Sequence, residues 1–209
     1  MARRSREVYQ FKVTLRGIRP PVWRRIQVPE NYSFWDLHVA IQDAMGWLDC
    51  HLHAFYMANP VTGQREEIGI PDEEWAGDKI LPGWKKKVAR YFTPENKKAR
   101  YVYDFGDDWE HDVVLEKILP RNENVFYPCC IAGRRSAPPE DCGGLWGYEN
   151  LLQGLENPDH EEHEEIIEWV GEDFDPDDFN KEAIVFSDPR KRLESAFSEN
   201  AREDERSGE

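Results

Sequence analysis

Tyr9, Phe11, Val13 and Leu15 alternate without a break with Gln10, Lys12, Thr14 and Arg16. That period of two fixes a strand with one apolar and one polar face. Gly17-Ile18-Arg19-Pro20-Pro21 interrupts it, and Val22, Arg24, Ile26 and Val28 resume it up to Pro29, so the pair reads as a hairpin with a five-residue connection. A sheet that is apolar on one side needs a covering layer, and the next segment supplies one. Ser33 is placed as an N-cap, Asp36 as its capping-box partner and Tyr32 as a staple onto Leu37. Phe34, Leu37, Ile41, Ala44, Met45 and Leu48 recur at helical spacing, with Gly46 a terminator near Trp47. A third strand is predicted over Leu52 to Met57. Strand, strand, helix, strand is the opening of a β-grasp-like α+β layer, with the helix on one face of a mixed sheet.

Residues 59–99 are punctuated by Pro60, Gly63, Pro71, Gly77, Pro82, Gly83 and Pro94, which leaves room only for short elements. A second hairpin follows: Tyr101, Tyr103 and Phe105 on one face, the turn Gly106-Asp107-Asp108, then His111, Val113 and Leu115. From Gly147 onward the pattern is helical, with Tyr148, Leu151, Leu152 and Leu155 first. Asn157 and Pro158 then read as the cap and first position of a helix ending near Gly171. Asp175-Pro176 opens a last helix, with Asp178 as capping-box partner and Phe174 spaced to staple onto Phe179. The expected architecture is a mixed sheet with C-terminal helices packed on it, one domain over residues 7–193. Residues 194–209 form a disordered acidic tail, since SAFSENAREDERSGE has almost nothing to bury.

A chain of 209 residues can bury about 70% of its unfolded surface, enough for a core without staples. No window approaches the roughly 18 apolar residues of a membrane span, and the Arg-rich start leads into alternating polarity instead of an apolar signal core. The expectation is a cytosolic protein with no membrane partner. In that compartment Cys50, Cys129, Cys130 and Cys142 read as free thiols or metal ligands.

The net charge of −15 excludes a generally basic nucleic-acid coat but conceals an asymmetry. Glu156 to Asp178 holds 12 acidic residues and no Lys or Arg, whereas Lys85 to Arg100 holds seven cations against Glu95 alone. Trp84, Lys85, Lys86, Lys87, Arg90, Lys97, Lys98 and Arg100 interleave charge with stackable rings, a pattern that suits phosphate and bases. The competing reading is a solvated surface beside an acidic helix that would repel a polyanion.

Three patches carry chemistry. In Cys50-His51-Leu52-His53, residues two apart on a strand share a face, so His51 and His53 can chelate one divalent metal. His111 is a third donor, with Cys130 or Cys142 as a fourth, although no pair has the close spacing of a zinc motif. The alternative is that the histidines satisfy neighbouring backbone and the cysteines are small core groups. The second patch, Tyr103 to His111, crowds Asp104, Asp107, Asp108, Glu110 and His111 around a turn where a general acid or base is available. The same residues also make an ordinary Gly-Asp turn. The third, Gly133 to Gly144, places Glu140 and Asp141 in a Pro- and Gly-stiffened loop ahead of a helix. Its Arg134 and Arg135 invite an anion that Glu140 and Asp141 oppose, and a rigid helix lead-in is the competing reading. Phosphate-loop, dinucleotide, nucleophile-elbow and His-Glu-x-x-His patterns are absent.

Arg19-Pro20-Pro21-Val22-Trp23-Arg24-Arg25, His51-Leu52-His53-Ala54-Phe55, Tyr103 through His111, and Pro138-Pro139-Glu140-Asp141-Cys142-Gly143-Gly144 with Gly147-Tyr148 occur in this order. Together they resemble the ORF-three-like domain family named after an open reading frame of a root-inducing plasmid, over Tyr9 to Arg192. The resemblance implies a single α+β domain found on plasmids, on chromosomes and beside insertion-sequence transposases, where it is labelled a TnpR-like passenger protein. It implies no catalytic residues. A resolvase activity does not follow, because the C-terminal end is acidic where a serine recombinase carries a basic DNA-binding helix pair. The leading expectation is a non-catalytic, cytosolic accessory or interaction domain of plasmids and mobile elements, with a protein partner. A metal-dependent enzyme using His51, His53, His111 and the turn carboxylates is the alternative, and a nucleic-acid-binding accessory protein the second.

Overall fold

The computed structural model describes residues 5–71, 80–171 and 173–197. Eight strands form one sheet: β1 (Glu7–Leu15), β2 (Trp23–Pro29), β3 (His53–Ala58), β4 (Arg65–Gly69), β5 (Leu81–Pro82), β6 (Lys98–Tyr103), β7 (Trp109–Pro120) and β8 (Cys129–Arg134). Their order across the sheet is β5-β4-β3-β6-β7-β1-β2-β8. All pairs are antiparallel except β4 with β5, so the sheet is mixed. The helices are α1 (Phe34–Met45), α2 (Val88–Tyr91), α3 (Gly144–Glu156) and α4 (His163–Val170), with a further helical segment over 189–197. The α+β architecture expected from the element order is the one observed. The second hairpin, β6–β7, inserts between β3 and the first hairpin.

Alternation dictates the faces. Tyr9, Phe11, Val13 and Leu15 are buried with Val22, Ile26 and Val28, and on the far hairpin Tyr101, Tyr103, Trp109, His111, Val113 and Leu115 share that inner side. Phe11, Phe34, Phe55, Tyr91 and Phe92 meet edge to face at 4.7–5.2 Å in the middle of the core. Each fully buried side chain of this size contributes about 1.5–3 kcal/mol. The outer face is a polar lattice in which Glu116 binds Gln10 and Arg25, and Arg16 spans Glu110 and Asp112.

The capping box of α1 forms as the sequence requires: Asp36 N–H donates to Ser33 Oγ, Ser33 N–H donates to Asp36, and Gly46 closes the helix in the left-handed region. A helix laid on a sheet normally shows its far side to water, yet ten of the twelve residues of α1 are buried. The reason is a strap. Ser187 donates twice to Asp43, Arg192 reaches Asp43 at 2.8 Å, and Trp35 Nε1–H donates to Pro189 O, so 187–192 runs over the outer side of α1.

Several boundaries differ from expectation for local reasons. Leu52 precedes β3 and is exposed. Phe105 lies in the turn and is exposed, because Asp104 turns left-handed (φ 56°) and ends β6. Asn157 closes α3 instead of opening the next helix, which starts at His163 after a turn. Asp175-Pro176 starts no helix: the Asp175 side chain takes Asp177 N–H in a local turn, a 3₁₀ turn follows at Lys181–Ala183, and helix resumes only at 189. Ser195–Phe197 continue the helical segment with Phe197 edge-on to Trp84, and 198–209 lie outside the described residues. No helix among the described residues is long and apolar enough to cross a membrane.

Candidate functional site

His51 sits in the bend before β3, held over Tyr103 at 5.8 Å between ring centroids. Its Nε2 lies 2.8 Å from Asp141 Oδ1 and 3.7 Å from Asp104 Oδ2. The three patches of the sequence therefore do meet, since these residues come from the Cys50–His53 strip, the Tyr103–His111 turn and the Pro138–Gly144 loop. The seam is pinned around them. Gly143 N–H donates to Asp107 Oδ2, Tyr103 O–H donates to Glu140, and Leu48 N–H donates to Glu140 Oε1. Glycines permit the approach: a Cβ on Gly144, itself at φ 66°, would stand 2.7 Å from Asp107 O, and one on Gly147 would overlap Cys142 O.

Asp104 and Asp141 both hold positive φ (56° each), where Asp is tolerated at a cost of order 1 kcal/mol. Asp104 Oδ1 accepts Gly106 N–H, leaving Oδ2 toward His51. Burial and the adjacent Glu140 carboxylate push the Tyr103 hydroxyl well above its ordinary range, so it remains a donor. One ligand atom each from His51, Asp104 and Asp141 falls within 4.8 Å of the others. An imidazole with two carboxylates is a donor set for a divalent cation.

The other expected residues go elsewhere. His53 begins β3, faces the core, and stacks on His38 of α1 with centroids 3.4 Å apart and planes 7° apart. His51 and His53 are thus not one chelating pair: the bend before β3 turns His51 outward, and the period-two rule does not reach it. His111 is buried beside Tyr101 and Trp47, and burial lowers it to about 4. Glu110, its neighbour on β7, faces the other side, bound by Arg16 and Arg100; those two bonds outweigh its burial and hold its carboxyl below the usual range. Asp108 is exposed in the turn. Cys130 stands on β8, bonded to Ala132 O, and burial raises its thiol; burial raises Cys142 to about 12. The five residues His51, His53, His111, Cys130 and Cys142 do not converge on one metal position among the described residues.

The cations of 84–100 divide. Lys85, Lys87 and Arg90 are exposed near the start of α1, where Lys87 donates to Asn31 O; Trp84 is half-buried. Lys97 and Lys98 are exposed at the start of β6, and Arg100 is engaged by Glu110 and the Tyr56 ring. The acidic run meets a cation at Arg135, which Asp177 binds at 2.7 Å.

Sequence reasoning missed His38, Asp49, Gln42 and Tyr101 as a set. His38 Nε2 lies 2.7 Å from Asp49 Oδ1, its Nδ1 lies 2.8 Å from Tyr101 Oη, and Gln42 Nε2 donates to the same Oη. The signal was present in α1, where His38 and Gln42 follow Phe34 at four-residue steps on the buried side.

A sequence model of the plasmid pRiA4b ORF-3-like protein family matches residues 7–183. An uncharacterised protein of Sinorhizobium fredii, y4hQ, is 35% identical over 195 residues, covering 93% of this chain and 95% of its own. The crystal structure of MM3350, a protein of unknown function from Methanosarcina mazei Go1, superposes with a TM-score of 0.82 at 51% identity, covering 87% of this chain and 99% of that one.

Proposed function

Because the chain belongs to the plasmid pRiA4b ORF-3-like protein family, whose relatives lend it no activity by name, we propose that it is a cytosolic accessory domain of plasmid and mobile elements built around a surface divalent-cation site. Its ligands are His51, Asp104 and Asp141. One observation carries the reading: three strips distant in sequence deliver one imidazole and two carboxylates within 4.8 Å. Support comes from the left-handed backbone of both aspartates and from the glycines that let the 138–147 loop close on the 104–108 turn. His51 and Asp141 are partly open to solvent, so a bound cation keeps positions for water or for a partner's carboxylate or phosphate. That openness also favours, as a second reading, metal-activated hydrolysis at the same ion.

Calorimetric titration of the chelator-treated, dialysed chain with Mn²⁺ tests the proposal. About one site per chain is expected, with affinity lowered at least about tenfold in an Asp104→Asn, Asp141→Asn double variant. Undiminished Mn²⁺ binding in that variant places the ions on the acidic 156–178 run and overturns the assignment.

A further inference from the structure

We propose that His38, Asp49 and His53 form a second metal site, a buried Zn²⁺ centre between α1 and the start of β3. It is distinct from the rim site and does not depend on it. The donors are assembled: one ligand atom each from His38, Asp49 and His53 lies within 4.8 Å of the others. An independent observation points to a ligand there. His53 is about 3% exposed, and neither of its ring nitrogens has a hydrogen-bond partner in the protein. A buried imidazole with both nitrogens orphaned is costly; His111 shares that state, but only His53 has further donors beside it, so the orphaning together with the cluster points to an ion.

The surroundings suit Zn²⁺. Trp35, Phe55 and Tyr101 wall His53 with aromatic rings at 5.8–6.2 Å, a dry shell of the kind that favours imidazole ligation. The parallel stack of His53 on His38 leaves their lone pairs in separate planes, so shared ligation of one ion requires the His53 ring, which no hydrogen bond holds, to tilt out of that stack. A tetrahedral Zn²⁺ with bonds of about 2.0–2.1 Å needs its donors roughly 3.4 Å apart, so donors that now lie within 4.8 Å of one another draw together on binding.

As it stands, Gln42 Nε2 donates to Tyr101 Oη, which suits a His38 that carries its proton on Nε2 toward Asp49, and metal binding at Nε2 requires this relay to reverse. With Nε2 on the ion, the His38 proton sits on Nδ1 and is donated to Tyr101 Oη, and Tyr101 must then donate onward. Gln42 Oε1, buried and without a partner, becomes that acceptor when the Gln42 amide turns over. The way in is on the strap side. Arg192 Nη1 forms an ion pair with Asp49 Oδ2 at 3.6 Å but no hydrogen bond, while Nη2 is held by Asp43 and Ser187, so a cation at Asp49 takes the place of that one ion pair.

The test uses the full chain, freed of metal by chelator and dialysis, with Zn²⁺ and its spectroscopic stand-in Co²⁺. The expected result is one tightly held Zn²⁺ per chain, the strong visible bands of tetrahedral Co²⁺, and X-ray absorption showing two imidazoles on the ion. His53→Gln abolishes the tetrahedral signal, and Tyr101→Phe weakens binding about ten- to a hundredfold. Circular dichroism checks that each variant is folded; should His53→Gln unfold, Asp49→Asn and the ligand count on the unmodified chain decide. A wild-type chain without the tetrahedral signal, or a signal that survives His53→Gln, overturns this inference and leaves the rim site standing. Failure of Mn²⁺ at Asp104 and Asp141, with tetrahedral Co²⁺ intact, removes the rim site alone.

Discussion

Two His-carboxylate clusters share the segment 48–52, which gives Asp49 to one and His51 to the other, and they differ chiefly in water. At the rim, His51 and Asp141 are partly open and Asp104 Oδ1 is held by backbone, so the cluster is satisfied without an ion. Inside, His38 is bonded on both nitrogens while His53, stacked on it, is bonded on neither. The same residue types are thus cheap to hold where solvent reaches them and expensive where it does not. The dry cluster weighs on stability, and the wet one is free to exchange partners.

The largest expected effect comes from acid. His111 is lowered to about 4 and His53 well below its ordinary value, both chiefly by burial. A histidine depressed in the folded state takes its proton only on unfolding, so stability is full above about pH 6.5 and falls as pH drops toward the folded value. His111 alone should remove about 3 kcal/mol between pH 6.5 and 4, with His53 adding to the slope. Urea unfolding across that range checks it, and His111→Leu should flatten the curve; an unchanged slope would show that His111 is not the dry group described.

Next in size is the strap. Asp43→Ala leaves Arg192 and Ser187 without their buried acceptor and should cost about 2–3 kcal/mol, with hydrogen exchange over 187–197 rising before the sheet opens. Gly147→Ala strikes the other region. The added methyl overlaps Cys142 O, so the 138–144 loop must shift at about 1–3 kcal/mol. Loss of the Asp141–His51 contact, read from His51 ring resonances, should accompany it. The smallest effect belongs to Asp141→Asn, on an exposed loop: stability within about 0.5 kcal/mol of the parent, with Mn²⁺ affinity reduced.

How legible this was depended on which force acted at each position. The first hairpin, the capping box and Gly46 were readable because alternation and capping are local rules. β4 (Arg65-Glu66-Glu67-Ile68-Gly69) and β8 (Cys129-Cys130-Ile131-Ala132-Gly133-Arg134) were not, since neither alternates and both exist by pairing with a neighbour. The rim was half legible. His51, Glu140 and Asp141 stood out as residues, but Asp104 takes its place through a left-handed turn that sequence does not announce, and Glu110 is lost to the outer face by the strand period. His38 was hidden among apolar neighbours in a helix whose burial depends on a strap more than 140 residues away in sequence.

The rim site itself is tested most directly by Mn²⁺ added at substoichiometric amounts to the ¹⁵N-labelled chain. Selective paramagnetic broadening should appear first in the amides of 50–52, 104–107 and 140–143. Broadening centred on the acidic stretch Glu156 to Asp178, or spread evenly over the spectrum, would contradict the assignment of His51, Asp104 and Asp141 as its ligands.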